Sequence, residues 1–104
     1  MKRLATAWTL AACTFFTIGN ALAIDELHKK YSCTACHADD KKLVGPSYKE
    51  VAAKYGTDKD AVKKLSEKVR KGGVGVWGQI PMPANPTPTD AEIKTMVEAV
   101  LKTK

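Results

Sequence analysis

Cys33-Thr34-Ala35-Cys36-His37 is the stretch on which the reading of this 104-residue chain turns. Two cysteines with two residues between them, followed at once by a histidine, form the attachment pattern of haem c. The spacing has a physical reason. Two intervening residues in a helical turn set both sulfurs to reach the two vinyl groups of one porphyrin, which they bind as thioethers. The imidazole that follows is then close enough to meet the iron from one face. Cys33 and Cys36 are the candidate covalent anchors, and His37 is the candidate iron ligand.

Blander readings of the same residues fare worse. Half a zinc site would need a second Cys/His pair, and His28 is the only other histidine. A thioredoxin-like redox pair expects a βαβ context, which the sequence does not show. A structural disulfide between Cys33 and Cys36 would close a short and strained loop.

The N-terminus supplies a compartment. Met1-Lys2-Arg3 is basic, the run from Leu4 to Gly19 is apolar, and Asn20-Ala21-Leu22-Ala23 ends in a small-x-small pattern. These are the three regions of a secretory signal, cut after Ala23. Residues 1–23 are thus expected to be removed, and residues 24–104 to form one exported domain in the periplasm. The apolar run is shorter than the roughly 20 residues of a spanning helix, so no stable membrane insertion is expected. Leu10-Ala11-Ala12-Cys13 resembles a lipoprotein cleavage box, but Phe15, Phe16 and Ile18 follow it where a polar tether belongs. Cys13 is expected to leave with the signal.

Removing Lys2 and Arg3 from the 17 basic residues leaves 15, against 11 acidic ones. That is mildly basic. The lysines lie between acids on helical faces with few aromatics beside them, which excludes a nucleic-acid footprint and leaves a solvated surface or a docking face for an acidic partner. A chain this short buries a limited core and needs a staple. A covalently held porphyrin would be that staple, and the exported domain has no cysteine beyond Cys33 and Cys36.

Helical signals fill most of the remainder. Residues 24–36 read as one helix, with Leu27 and Tyr31 on one face, Asp25 as a cap candidate and the two cysteines at its end. His28 lies on it as a surface or helix-contact residue. Ser47-Tyr48-Lys49-Glu50 is a capping box that opens a short helix with Val51, Ala52 and Tyr55 inward, stopped by Gly56. Asp58 is placed to cap a third helix carrying Ala61, Val62, Leu65 and Val69, which Gly72-Gly73 end. Thr89-Asp90-Ala91-Glu92 is a second capping box, followed by the stripe Ile93, Met96, Val97, Val100 and Leu101.

Between the third and fourth helices, residues 72–88 have neither a helical nor a strand period. An irregular run of this length in so small a domain is usually functional. Pro81 and Pro83 bracket Met82, stiffen the backbone and forbid a helix there. The Met82 thioether is a soft ligand suited to the sixth iron position opposite an imidazole. Met96, at helical spacing, reads instead as core filler or a haem-facing residue. The fold expected is all-α: about four helices and a long Met-bearing loop wrapped around one covalent haem c.

Cys33-Thr34-Ala35-Cys36-His37, Val44-Gly45-Pro46, Val51-Ala52-Ala53-Lys54-Tyr55, Gly75-Val76-Trp77-Gly78 and Ile80-Pro81-Met82-Pro83 resemble, in order and spacing, the small bacterial class I cytochromes c of the c-551/c-552 type. The resemblance covers essentially all of residues 24–104. It implies His37 and Met82 as axial ligands and Cys33 and Cys36 as thioether anchors. It implies that the Pro46 carbonyl accepts a hydrogen bond from His37, and that the Trp77 indole N–H meets a haem propionate. Lys68 stands where some members carry an arginine near a propionate, with Arg70 as an alternative. Ala84, Ala99 and Ser32 depart from residues common in the group (proline, tryptophan and glycine), which implies a looser ligand loop, less complete packing of the last helix and altered stability.

The function implied is a soluble periplasmic carrier that passes single electrons between respiratory partners, such as a donor complex and an oxidase or reductase, by transient docking. It would not be an enzyme. One rival is a haem-based sensor or peroxidase-like enzyme with a labile Met82, though no distal His or Arg/Glu pair is apparent. Another is a non-catalytic subunit of a larger complex.

Overall fold

The computed structural model describes residues 19–104, with side chains from Ile24 onward. The expected signal segment and Cys13 lie outside the described residues, save for the backbone of 19–23. Four helices make up the regular structure: α1 Gly19–Lys30, α2 Tyr48–Tyr55, α3 Ala61–Lys71 and α4 Asp90–Leu101. Among the described residues there is no strand, only two isolated bridges, His37 with Lys42 and Gly73 with Met82. None of these helices is long and apolar enough to cross a membrane.

α4 is the hub, packing against each of the other three helices. Both capping boxes form as the sequence implies. Ser47 Oγ accepts from the Glu50 amide at 3.1 Å while Glu50 accepts from the Ser47 amide at 2.9 Å. Thr89 and Glu92 repeat the exchange at 3.1 Å in both directions. Such caps satisfy amides that a helix start leaves unpaired, each worth on the order of 1 kcal/mol. They fix where α2 and α4 begin, and so which faces turn inward. Ile93, Met96 and Val97 are then buried, with Leu27, Tyr31, Val62, Leu65, Val69 and Leu101 packed on them. Each fully buried side chain of this size contributes about 1.5–3 kcal/mol. Tyr31 also donates its hydroxyl to Glu92 at 2.9 Å, tying α1 to the start of α4.

Three helix boundaries differ from the sequence reading. α1 begins at Gly19, before the expected residue 24. The helix expected over 24–36 stops at Lys30, because Ser32 adopts a left-handed conformation with φ 60°. A residue in that conformation ends a helix, as a glycine commonly does. The cysteines therefore sit on a separate 3-10 turn, Cys33–Ala35, closed by the His37 amide donating to the Cys33 carbonyl at 2.9 Å. Asp25 lies inside α1 and does not cap it. The third helix begins later than Asp58: its cap residue is Asp60, which makes no side-chain bond. Asp58 instead accepts from the Asp60 amide at 2.8 Å and from Lys64 at 2.7 Å. Together these hold its carboxyl below the usual carboxylate range. An aspartate two residues upstream satisfies the turn before the helix, which a spacing argument alone does not separate from a cap.

Gly72 ends α3 with φ 71°, and the long segment that follows stays irregular. It is nevertheless pinned. The Gly73 amide donates to the Met82 carbonyl at 3.0 Å and the Met82 amide to the Gly73 carbonyl at 2.8 Å. At its far end the Asn85 amide donates to the Val69 carbonyl at 3.0 Å, and Arg70 donates to the carbonyls of Asn85 and Pro86 and to Asp90.

Candidate functional site

The helices and the long loop enclose a cavity of about 330 Å³, within the range of sites for large organic ligands. Cys33, Cys36, His37 and Met82 all line it, although nearly fifty residues separate the first from the last. The loop supplies one wall through Val74, Val76, Trp77 and Ile80, and the 38–46 segment supplies another through Leu43 and Val44. Among the described residues those six are the large apolar side chains that the fold leaves exposed, and every one lines this cavity. No Asp or Glu does, whereas Lys42 and Lys68 do.

His37 is held from several sides. Its Nδ1 lies 2.7 Å from the Pro46 carbonyl oxygen, so Nδ1 carries the proton and donates. Nε2 is then the nitrogen left to face an iron. Gly45 runs against the ring: a Cβ there would lie 2.7 Å from Cε1 and 3.0 Å from Nδ1. Any side chain at position 45 would push the imidazole aside. The Gly45 amide donates to the Cys36 carbonyl at 2.8 Å, which locks this backbone to the cysteine turn.

Cys33 and Cys36 are both half-buried and are not joined to each other. Burial pushes the Cys33 thiol up, the opposite of the depressed thiol that a redox-active Cys-x-x-Cys pair requires. Among the described residues no three His, Cys, Asp or Glu side chains converge as a metal cluster. Two cysteine sulfurs, one imidazole and a thioether on apolar walls fit an iron porphyrin in chemistry and in shape.

The remaining expected residues divide. Trp77 lines the cavity and is 40% exposed, with Lys54 Nζ over its ring at 5.5 Å. Lys68 lines the cavity and lies against Gly73. Arg70 does not line it: this side chain clamps the end of the ligand loop to α4, so the alternative of Arg70 near a propionate is withdrawn. Met96 is both buried core and cavity wall. Of the two readings of His28, surface or helix contact, the second holds. The residue is buried, lines the cavity and packs against Tyr48, and burial pushes its imidazole below the ordinary value. Tyr48 was not singled out from the sequence, because the first residue of a capped helix reads as part of the cap. Its signal was position: two residues after Pro46, it follows the backbone that grips His37.

These features define a class, an all-α haem c-binding protein. The cytochrome c family model matches residues 18–104. Cytochrome c-552 of Nitrosomonas europaea is 45% identical over 101 residues, covering 95% of this chain and 98% of its own. Cytochrome c-551 of Azotobacter vinelandii is 54% identical over 80 residues, covering 77% and 96%. Among solved structures, that of wild-type Nitrosomonas europaea cytochrome c552 matches with a TM-score of 0.74 at 45% identity, over 77% of this chain and 99% of that one. The class 1 cytochrome MtoD from Sideroxydans lithotrophicus ES-1 matches at 0.71 and 32% identity, over 80% and 95%. The chain belongs to the cytochrome c family, as a class I member of the c-551/c-552 type. It carries one covalent haem c and is an electron carrier, not an enzyme.

Proposed function

We propose that the chain is a periplasmic carrier whose haem c is anchored by Cys33 and Cys36 and ligated axially by His37 and Met82. The observation that carries this reading is the convergence of those four side chains on one apolar cavity, with the Met82 backbone fixed by its paired hydrogen bonds to Gly73. When bound, the haem supplies a one-electron Fe(II)/Fe(III) couple. The residues around it do the rest. Pro46 holds the proton on Nδ1 of His37 and makes the ring a better donor through Nε2. Met82 offers a soft sulfur that favours the ferrous state and raises the potential. With His37 and Met82 both holding the iron, the chain would keep small ligands from it. Trp77 and Lys68, which line the cavity, would meet the propionates.

The absence of Asp and Glu from the cavity wall, with Lys42 and Lys68 on it and Lys54 over Trp77, favours approach of an acidic partner surface to this edge. A donor complex and an oxidase or reductase would dock there transiently, at rates that fall with salt. The test begins with a periplasmic extract. An intact mass of residues 24–104 plus one haem is expected, and a retained leader or a lipid on Cys13 would contradict the export reading. Reduced protein exposed to carbon monoxide should show no change in its visible spectrum. Ready binding would favour a sensor or peroxidase-like role instead.

A further inference from the structure

Tyr48 lies between two imidazoles in the contact sequence. Its ring stacks on His37 with centroids 5.6 Å apart and planes 23° apart. Its other aromatic neighbour is His28, at 5.1 Å and 32°. Tyr48 and His28 are both more than nine-tenths buried, at 8% and 7% exposure. The Tyr48 hydroxyl and His28 Nε2 have no hydrogen-bond partner. The Tyr48 ring is therefore located by packing, with His28 as its backing, and not by a bond through its hydroxyl.

That placement matters because of what the other contacts leave undone. The bond from His37 Nδ1 to Pro46 fixes the tautomer and restrains one edge of the imidazole, but it puts nothing against either face of the ring. Gly45 closes in on the Cε1–Nδ1 edge. Only Tyr48 among the neighbours described stacks on a ring face. We propose that Tyr48 is the positioning residue that fixes the rotation of the His37 imidazole plane about its bond to the iron, with His28 holding Tyr48 in place; this rests on His37 being an axial ligand.

The consequence is electronic. The π orbital of an imidazole stands perpendicular to its ring and mixes only with the iron d orbital that shares its direction. The ring's rotation thus selects which of two nearly equal d orbitals holds the unpaired electron of low-spin ferric iron. A change of rotation alters the g-values and the spread of haem-methyl proton shifts while the ligand set and charge stay the same.

The test uses ferric holoprotein: wild type, Tyr48→Phe, Tyr48→Leu and His28→Leu, each read by electron paramagnetic resonance and haem-methyl proton shifts. Tyr48→Phe keeps the ring and should match wild type. Tyr48→Leu should shift the g-values or show more than one set, with the iron–sulfur absorption band retained. His28→Leu should move them in the same direction by less, and it decides the matter if Tyr48→Leu does not accumulate. Unchanged g-values and methyl shifts in the leucine variants, with that band intact, overturn this proposal alone. A wild type without a low-spin His/Met spectrum overturns the ligand assignment, and this proposal with it.

Discussion

Gly72→Ala is the perturbation that tests the ligand loop most sharply. Gly72 holds φ 71° and ψ −168°, a region essentially reserved for glycine, where a side chain costs on the order of 1–3 kcal/mol. A Cβ there would collide with the Met82 carbonyl oxygen and lie 2.8 Å from the Ala84 nitrogen and 2.9 Å from the Pro83 carbonyl carbon. These are backbone atoms, so relief requires the loop to move away from α3. That movement opens the two hydrogen bonds between Gly73 and Met82, each worth about 0.5–1.5 kcal/mol net. Strain and lost bonds together come to about 2–6 kcal/mol. That is a large share of the roughly 5–15 kcal/mol that holds a domain folded.

Thermal unfolding of the holoprotein measures the first effect, and carbon monoxide binding by the reduced protein measures the second. Gly72→Ala should lower the midpoint by many degrees and admit carbon monoxide, because Met82 is no longer held at the iron. Gly75→Ala is the control. Gly75 also has a positive φ, 102°, but its amide pairs with the Gly78 carbonyl and not with Met82, so strain should appear without loss of the Met82 bond. If the two variants behave alike, or if Gly72→Ala still excludes carbon monoxide, the Gly73–Met82 pairing is not what holds the ligand.

Other substitutions should separate the remaining supports. Ser32→Gly relieves a left-handed residue that costs on the order of 1–2 kcal/mol, less some unfolded-state entropy. Denaturant unfolding should show a net gain of about 0.5–1 kcal/mol, with an unchanged visible spectrum. Arg70→Ala removes the donors to Asn85, Pro86 and Asp90. Part-exposed, it should cost about 1–2 kcal/mol in denaturant unfolding and weaken the iron–sulfur band, and Arg70→Lys should not fully restore it. Glu92 titrates on folding. The Thr89 amide first, then the Tyr31 hydroxyl, hold its carboxyl below the ordinary 4.5. A depressed folded value means the stabilisation is complete above 4.5 and is lost as pH falls through the folded value. Denaturant midpoints should therefore decline below pH 4.5 in wild type, and more shallowly in Glu92→Gln.

Much of this architecture was legible because it is written in local chemistry. Ser47/Glu50 and Thr89/Glu92 announce two helix starts by a pairing that needs no tertiary context. The stripe from Ile93 to Leu101 marks the helix around which the others pack. The anchor pattern at Cys33–His37, and Met82 between its prolines, likewise point to one cofactor before any fold is known. What escaped depends on contacts far apart in sequence, or on a single backbone angle. Nothing in Tyr31-Ser32-Cys33 declares that Ser32 turns left-handed and splits the expected helix. The pairing of Gly73 with Met82 joins two irregular stretches with no periodicity to betray it. Arg70 and Lys68 lie two positions apart on α3, so both read as candidates for one role; the helix sends them to different surfaces. His28 reads from sequence as either a surface or a helix-contact residue, because its partner, Tyr48, comes from another helix.

The central claim is that His37 and Met82 close the iron from both sides, and visible absorption of oxidised and reduced protein, wild type beside Met82→Ala, tests it most directly. Wild type should be low-spin in both states, show the weak red iron–sulfur band when oxidised, and ignore carbon monoxide when reduced. Met82→Ala should lose that band and bind carbon monoxide. A variant indistinguishable from wild type, or a wild type without the band, would contradict the account.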